Sequence, residues 1–189
     1  MIRIVAGSVG GRLLTTLRGT TTRPTSDRAR EALFSTVESL RPLAGARVLD
    51  LYAGSGSVGL EALSRGATAA LLVESDRRAC EVLRSNVAAL GLPGARIICS
   101  RVLDALAEPA SMACDLLFAD PPYALPAAEL AEVLRTAAAS GWLATDALVV
   151  VERASRAPAF DWPEGFEALR DRRYGAATLW YGGRSHPVG

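Results

Sequence analysis

Val48-Leu49-Asp50-Leu51-Tyr52-Ala53-Gly54-Ser55-Gly56-Ser57-Val58-Gly59 decides the fold. Its apolar opening reads as a strand, and the chain then turns through small residues into a helix that runs to about Ser64. Glycine permits positive φ and leaves no side chain between backbone and ligand, so Gly54-Ser55-Gly56 suits a loop lying against a small molecule. A turn built for geometry alone gives the same pattern. Gly59, one turn into the helix, allows close packing on a sheet. No Gly-Lys-Ser/Thr follows, which excludes a P-loop. An acid at the strand end, Asp50, would repel a pyrophosphate and suits a cationic amino-acid group.

Outward from this stretch, strands and helices alternate. Residues 69–73 read as a strand, and 76–90 as a helix ended by Gly91. Residues 96–99 form a third strand with a short helix around 103–107, and 115–119 a fourth with a helix over 126–139. Residues 148–151 are continuous and apolar, as in a strand buried on both faces. Residues 166–173 and 177–181, joined through Tyr174-Gly175, read as an antiparallel pair, and the tail after Gly182 is expected to be mobile. The class is therefore α/β, a mostly parallel seven-stranded sheet with an antiparallel C-terminal strand and helices on both faces. Ligands in such sheets bind beyond the carboxyl ends of the strands.

Upstream, residues 2–6 and 12–17 flank Gly7-Ser8-Val9-Gly10-Gly11 as a β-hairpin. A polar loop through Arg23-Pro24 leads to Ser26 or Asp27, either of which can cap a helix carrying Ala29, Leu33, Phe34, Val37 and Leu40 on one face. Residues 1–40 thus form a hairpin-loop-helix extension, and 41–189 the main domain. All 21 basic residues are Arg. Six of them (Arg3, Arg12, Arg18, Arg23, Arg28 and Arg30) lie within residues 1–30 against the single acid Asp27, while the other 15 face 19 acids. A basic arm on a mildly acidic body suits a polyanion; a solvated surface segment has the same composition.

Cys80, Cys99 and Cys114 form no C-x-x-C, and the only histidine is His186, so structural zinc and a Ser-His-Asp triad lack their usual residues. Three cysteines within apolar stretches suggest buried, reduced thiols in a cytoplasmic protein. No apolar run is long enough to cross a membrane. No metal and no membrane partner are expected, and the chain is expected to be a monomer.

The chemistry-bearing stretch is Leu116-Leu117-Phe118-Ala119-Asp120-Pro121-Pro122-Tyr123. Two prolines cannot continue a sheet, so Asp120-Pro121-Pro122-Tyr123 makes a stiff loop at the strand end, with a carboxylate on one side and an aromatic ring on the other. A rigid turn with a packing tyrosine is the plain alternative. An exocyclic base nitrogen is a poor nucleophile because its lone pair is delocalised. Hydrogen bonds accepted from its N–H groups by Asp120 and the Pro121 carbonyl favour a pyramidal nitrogen, and Tyr123 can stack on the base and fix its approach.

Glu74 and Asp104 follow the second and third strands. Glu74 can accept from ribose hydroxyls or be a plain surface acid; Asp104 can receive an adenine amino group or cap a helix. With Asp50 and the glycine loop, these acids resemble the class I (Rossmann-like) methyltransferases. That resemblance implies S-adenosyl-L-methionine as cofactor. Asp50, Tyr52, Ala53, Gly54, Ser55 and Gly56 would lie around its methionine part, Glu74 and Ser75 at its ribose, Asp104 at its adenine and Asp120 at the reacting end. Asp120-Pro121-Pro122-Tyr123 resembles the motif of amino-nitrogen methyltransferases, which act on adenine N6, guanine N2 or glutamine.

Arg23-Pro24-Thr25-Ser26-Asp27-Arg28-Ala29-Arg30-Glu31-Ala32-Leu33-Phe34, taken with both motifs, closely resembles the RsmD-like family over nearly the whole chain. This implies methylation of N2 of the guanine at position 966 of 16S ribosomal RNA, within an assembled or assembling small subunit. Arg3, Arg12, Arg23, Arg28 and Arg30 would then contact RNA, since arginine binds phosphate in bidentate fashion and positions a nucleic acid without reading its sequence. Gly10-Gly11-Arg12 departs from the more basic turn of relatives, and Ser26 replaces a common threonine. The alternatives are a DNA adenine-N6 methyltransferase using the same motif and a non-enzymatic RNA-binding protein.

Overall fold

The computed structural model describes residues 2–17 and 27–185. Arg18, Arg23, Ser26 and His186 lie outside the described residues.

The sheet follows from the alternation in the sequence. β3 (Arg47–Leu51), β4 (Ala69–Glu74), β5 (Ala95–Cys99), β6 (Cys114–Ala119) and β7 (Leu143–Ala154) run parallel, and α2 (Ser57–Ser64), α3 (Arg77–Leu90), α4 (Val102–Ala107) and α5 (Ala127–Ala139) connect them. The inner strands β3, β4 and β6 are apolar on both sides because helices cover both faces, while the edge strand β5 is only partly covered. β8 (Phe166–Tyr174) and β9 (Ala177–Arg184) close the sheet as an antiparallel pair, giving the order β5-β4-β3-β6-β7-β9-β8. The strand order reverses between β3 and β6, which opens a crevice beyond their carboxyl ends.

One core lies under α2, α3 and the N-terminal elements, the other under α4 and α5. Leu33, Phe34 and Val37 of α1 (Asp27–Leu40) share the first core with Leu148 and Val150 of β7 and Tyr181 of β9. The N-terminal helix is therefore built onto the sheet. Asp76 caps α3 by accepting from Arg78 N at 2.8 Å, and Gly91 ends it with a φ of 64° that glycine adopts without strain.

Three expectations are corrected. The hairpin strands are only β1 (Ile2–Arg3) and β2 (Leu13–Leu14). Beyond Ile4 the first strand leaves its partner, because Val5 N and Ala6 N donate instead to the Glu61 carboxylate of α2 at 2.7 and 3.0 Å. The tail expected after Gly182 begins later: β9 continues to Arg184, whose Nη1 donates to Leu143 O at 2.6 Å, and residues 186–189 lie outside the described residues. Cys80 and Cys99 are not reduced thiols but a disulfide, with Cα atoms 6.1 Å apart, and Cys99 is exposed. α3 runs back against the strands, so its first turn and the carboxyl end of β5 meet at the same edge of the sheet. Cys114 is free and buried, and burial pushes its thiol up to about 12.

β7 is also longer than its apolar run. Its polar members Glu152 and Arg153 stay in the sheet because β9 pairs with it from Leu148 to Ala154.

Candidate active site

The glycine turn is held by backbone geometry and by acids. Tyr52 leaves β3 at a φ of 61°, a strained conformation for a non-glycine residue that costs about 1–3 kcal/mol and persists where its surroundings impose it. Its ring is half-buried, and burial followed by the charge of Glu129 pushes the phenol up to about 12. Ala53 N then donates to Val73 O at 3.0 Å, and Gly54 N to Glu74 Oε2 at 2.8 Å. Gly56 has a φ of 82°, and a Cβ there would collide with Leu83. Around Gly54, by contrast, a Cβ would meet nothing within 4 Å, so the loop borders open space.

Asp50 lies beneath this loop, 2% exposed, with Oδ2 accepting from Gly59 N at 2.8 Å. A Cβ on Gly59 would stand 2.8 Å from the Leu72 side chain and 3.1 Å from that oxygen, so glycine is required for both contacts. Burial pushes the Asp50 carboxyl up to about 7; the Gly59 N–H opposes the shift and the charge of Glu74 adds to it. The second oxygen of Glu74, Oε1, accepts from Ser75 N and Asp76 N at 2.7 and 2.8 Å, so one carboxylate braces both the glycine turn and the start of α3.

Asp120 follows β6, with its N–H still reaching Leu51 O of β3 at 3.4 Å. Pro121 is buried, Pro122 is exposed, and Leu125 N donates to Pro122 O at 2.8 Å to close the turn. Tyr123 is 58% exposed beside the crevice. The Asp120 carboxyl is held well above the usual carboxylate range, by burial first, then by Glu152 and Asp50. Ala119 is in register with Val151, which places Glu152 next to Asp120 on the neighbouring strand, 5% exposed. Asp104 stands exposed in the first turn of α4, beyond the end of β5. The structure thus gathers Asp50, the glycine turn, Glu74 and Asp120 along one edge of the sheet.

The arginines diverge. Arg30, expected on RNA, is 0% exposed: its Nη2 donates to Arg3 O and to Asp27 Oδ1 (2.8 Å), and its Nε lies 4.0 Å from Glu61. It is an internal strut and is withdrawn from the phosphate-binding set. Arg3 pairs with Asp27 at 2.7 Å, and Arg12 donates to Ala89 O at 2.7 Å, both from exposed positions. Arg28 is exposed, and Arg23 lies outside the described residues.

Three residues escaped the sequence reading. Glu152 follows an apolar run just as Asp50 and Asp120 do, and that pattern was available in the sequence. Glu61 looked like one more helix acid but is 0% exposed and holds Val5, Ala6 and Arg65. Asn86, 2% exposed, accepts from Thr15 N and donates to Thr15 O and Ser55 O, each at 2.9 Å. It ties the N-terminal arm to the glycine turn, a link that only the tertiary structure reveals.

Fold and site together define a Rossmann-like methyltransferase. A protein of Escherichia coli described as a methyltransferase, yhhF, superposes with a TM-score of 0.86 at 33% identity, over 98% of this chain and 99% of its own. The family model described as conserved hypothetical protein 95 matches residues 2–183. Ribosomal RNA small subunit methyltransferase D of E. coli K12 is 39% identical over 151 residues, covering 80% of this chain and 74% of that protein. The protein of the same name in Haemophilus influenzae is 34% identical over 180 residues, covering 94% and 91%. The chain belongs to this family, the RsmD-like methyltransferases.

Proposed function

We propose that this chain transfers a methyl group from S-adenosyl-L-methionine to N2 of a guanine in 16S ribosomal RNA, at position 966, on an assembled or assembling small subunit. Asp120 carries the reading: a partly buried carboxyl at the carboxyl end of β6, beside the glycine turn, its proton affinity raised by desolvation and by Glu152. The names of the E. coli and H. influenzae relatives support ribosomal RNA as the substrate.

The residues fit the cofactor. Gly54 leaves open space at the turn, and Asp50 is a buried carboxyl whose raised proton affinity marks an anion lacking a cation. Asp50, Tyr52, Ala53, Gly54, Ser55 and Gly56 would hold the methionine end, Glu74 and Ser75 the ribose, and Asp104 the adenine. When bound, the cofactor supplies an electrophilic methyl group on a sulfonium.

The protein's part is positioning and charge. Asp120 and the Pro121 carbonyl accept the two N–H groups of the guanine amine, which directs the nitrogen lone pair out of the ring plane. Asp120 stabilises the positive charge that builds on nitrogen, and its raised proton affinity suits it to take the proton the amine must lose. Tyr123 stacks on the base and sets its approach.

Radiolabelled S-adenosylmethionine, incubated with small subunits lacking this modification and separately with duplex DNA, tests the proposal. N2-methylguanosine from the subunits alone is expected. N6-methyladenine in DNA would assign the adenine reaction instead, and absence of label from both would leave a binding protein.

A further inference from the structure

The N-terminal hairpin, with Arg3 and Arg12, packs against α2 and α3, on the β3–β5 half of the sheet, through Glu61, Ser64 and Asn86. On the other side of Asp120, where β7, β8 and β9 reach the same edge, an open hollow of about 450 Å³ lies against Tyr123. This falls within the roughly 300–1,000 Å³ of small-ligand pockets. Its floor is Ala154, Gly175 and Ala176, residues too small to fill it. The floor is rigid: Ser155 N donates to Ala176 O at 2.8 Å and Ser155 Oγ to Gly175 O at 2.9 Å, stitching the loop after β7 to the β8–β9 turn. Arg156 and Arg173 form the rim. Both are exposed, and among the described residues no acid lines the hollow.

Among the described residues, neither of these guanidinium groups has a hydrogen-bonding or ion-pairing partner. That separates them from Arg41, Arg47, Arg65 and Arg135, which are paired with carboxylates, and from Arg153, whose Nη1 donates to Leu125 O at 2.9 Å. Two unpaired, forked cations over a small apolar floor, with an aromatic wall, match a ribose-phosphate and its base. Arginine takes phosphate oxygens in bidentate fashion, and unstacked bases rest on tyrosine and apolar surface.

We propose that this hollow seats the nucleotide flanking the target base, with Arg156 and Arg173 clamping the RNA phosphate on the side of Asp120 opposite the N-terminal hairpin. The inference rests on RNA being the substrate. Two backbone anchors then bracket the catalytic edge. A strand held at both sides of one nucleotide can splay that nucleotide toward Asp120 without a separate recognition domain.

The test is Arg156→Gln/Arg173→Gln in the full chain, read by fluorescence anisotropy with a fluorescein-labelled RNA hairpin carrying a guanine in its loop, over a series of salt concentrations. Each lost phosphate contact removes about 0.7–0.9 from the slope of log affinity against log salt, so a fall of roughly 1–2 is expected, with about tenfold weaker binding. Calorimetric affinity for S-adenosylmethionine should be unchanged, and KM for RNA should rise. Arg96→Gln/Arg135→Gln, at the amino ends of the strands, removes the same formal charge and is the control. Equal slopes and affinities in the two double variants would overturn the clamp, as would failure of the wild-type chain to bind the hairpin. The identity of the methylated nucleoside does not enter this measurement. A nucleoside other than N2-methylguanosine would therefore overturn the proposed reaction while the anisotropy still decides the clamp.

Discussion

The carboxyl edge of the sheet and the N-terminal arm both concentrate charge, yet they use it in opposite ways. At the edge, the buried Asp50 and the partly buried Asp120 have no neutralising cation among the described residues, and desolvation raises their proton affinity. In the arm, Arg30 is buried but neutralised by Asp27 and the nearby Glu61, and Arg3 is paired at the surface. A buried charge left unsatisfied is costly, and it is retained where a ligand completes it; a buried charge already satisfied holds the fold. The comparison separates residues for ligands from residues for structure more sharply than charge counts do.

The contrast breaks most visibly at Asp120. Asp120→Ala should lower kcat by about 10²–10³-fold, the usual loss for one electrostatic contact to a developing charge, while calorimetry still shows cofactor binding. An active Asp120→Ala would remove the proposed mechanism. Asp50 gives the next effect. Its carboxyl titrates near 4 in the unfolded chain and about 7 in the folded one. Between those values the unfolded chain has released a proton that the native state keeps, so native stability falls as pH rises through that window. The loss is at most about 4 kcal/mol, since each pKa unit is worth about 1.4 kcal/mol. Thermal melts of the free protein from pH 4 to pH 8 should show this fall, and Asp50→Asn should flatten it, with the remaining slope due to Asp120. A pH profile unchanged in Asp50→Asn would mean that the buried acid is already neutralised.

How much of this was legible follows from which physical rule placed each residue. Strand and helix periods put Asp50, Glu74 and Asp120 at strand ends, so the edge was readable from spacing alone. Glu152 follows an apolar run in the same way and was readable too. Glu61 and Asn86 were not, because an acid and an amide on helices look solvent-facing until the arm folds over them; Val5, Ala6 and Thr15 come from more than 50 residues away in the chain. Arg30 misled for the same reason. It sits beside Arg28 in the family-specific stretch, but helical geometry turns it inward while Arg28 faces out. The Cys80–Cys99 disulfide needed knowledge of where α3 begins relative to the end of β5.

Arg28 and Arg30 therefore sharpen the comparison, two residues apart on one helix. Arg30→Ala removes one partner of a buried ion pair and should cost about 3 kcal/mol, read as a lower midpoint in urea unfolding, with little change in RNA affinity below that midpoint. Arg28→Glu should do the reverse and act more weakly. Stability stays within about 0.5 kcal/mol because the side chain is exposed, while affinity for an RNA hairpin falls by severalfold and the salt slope drops by about 1. The helix presents one face to the sheet and the other to solvent, and only the second can meet a phosphate. If Arg28→Glu binds RNA as the wild type does, with the same salt slope, the arm belongs wholly to the structural side of the comparison, and RNA must be gripped elsewhere on the molecule.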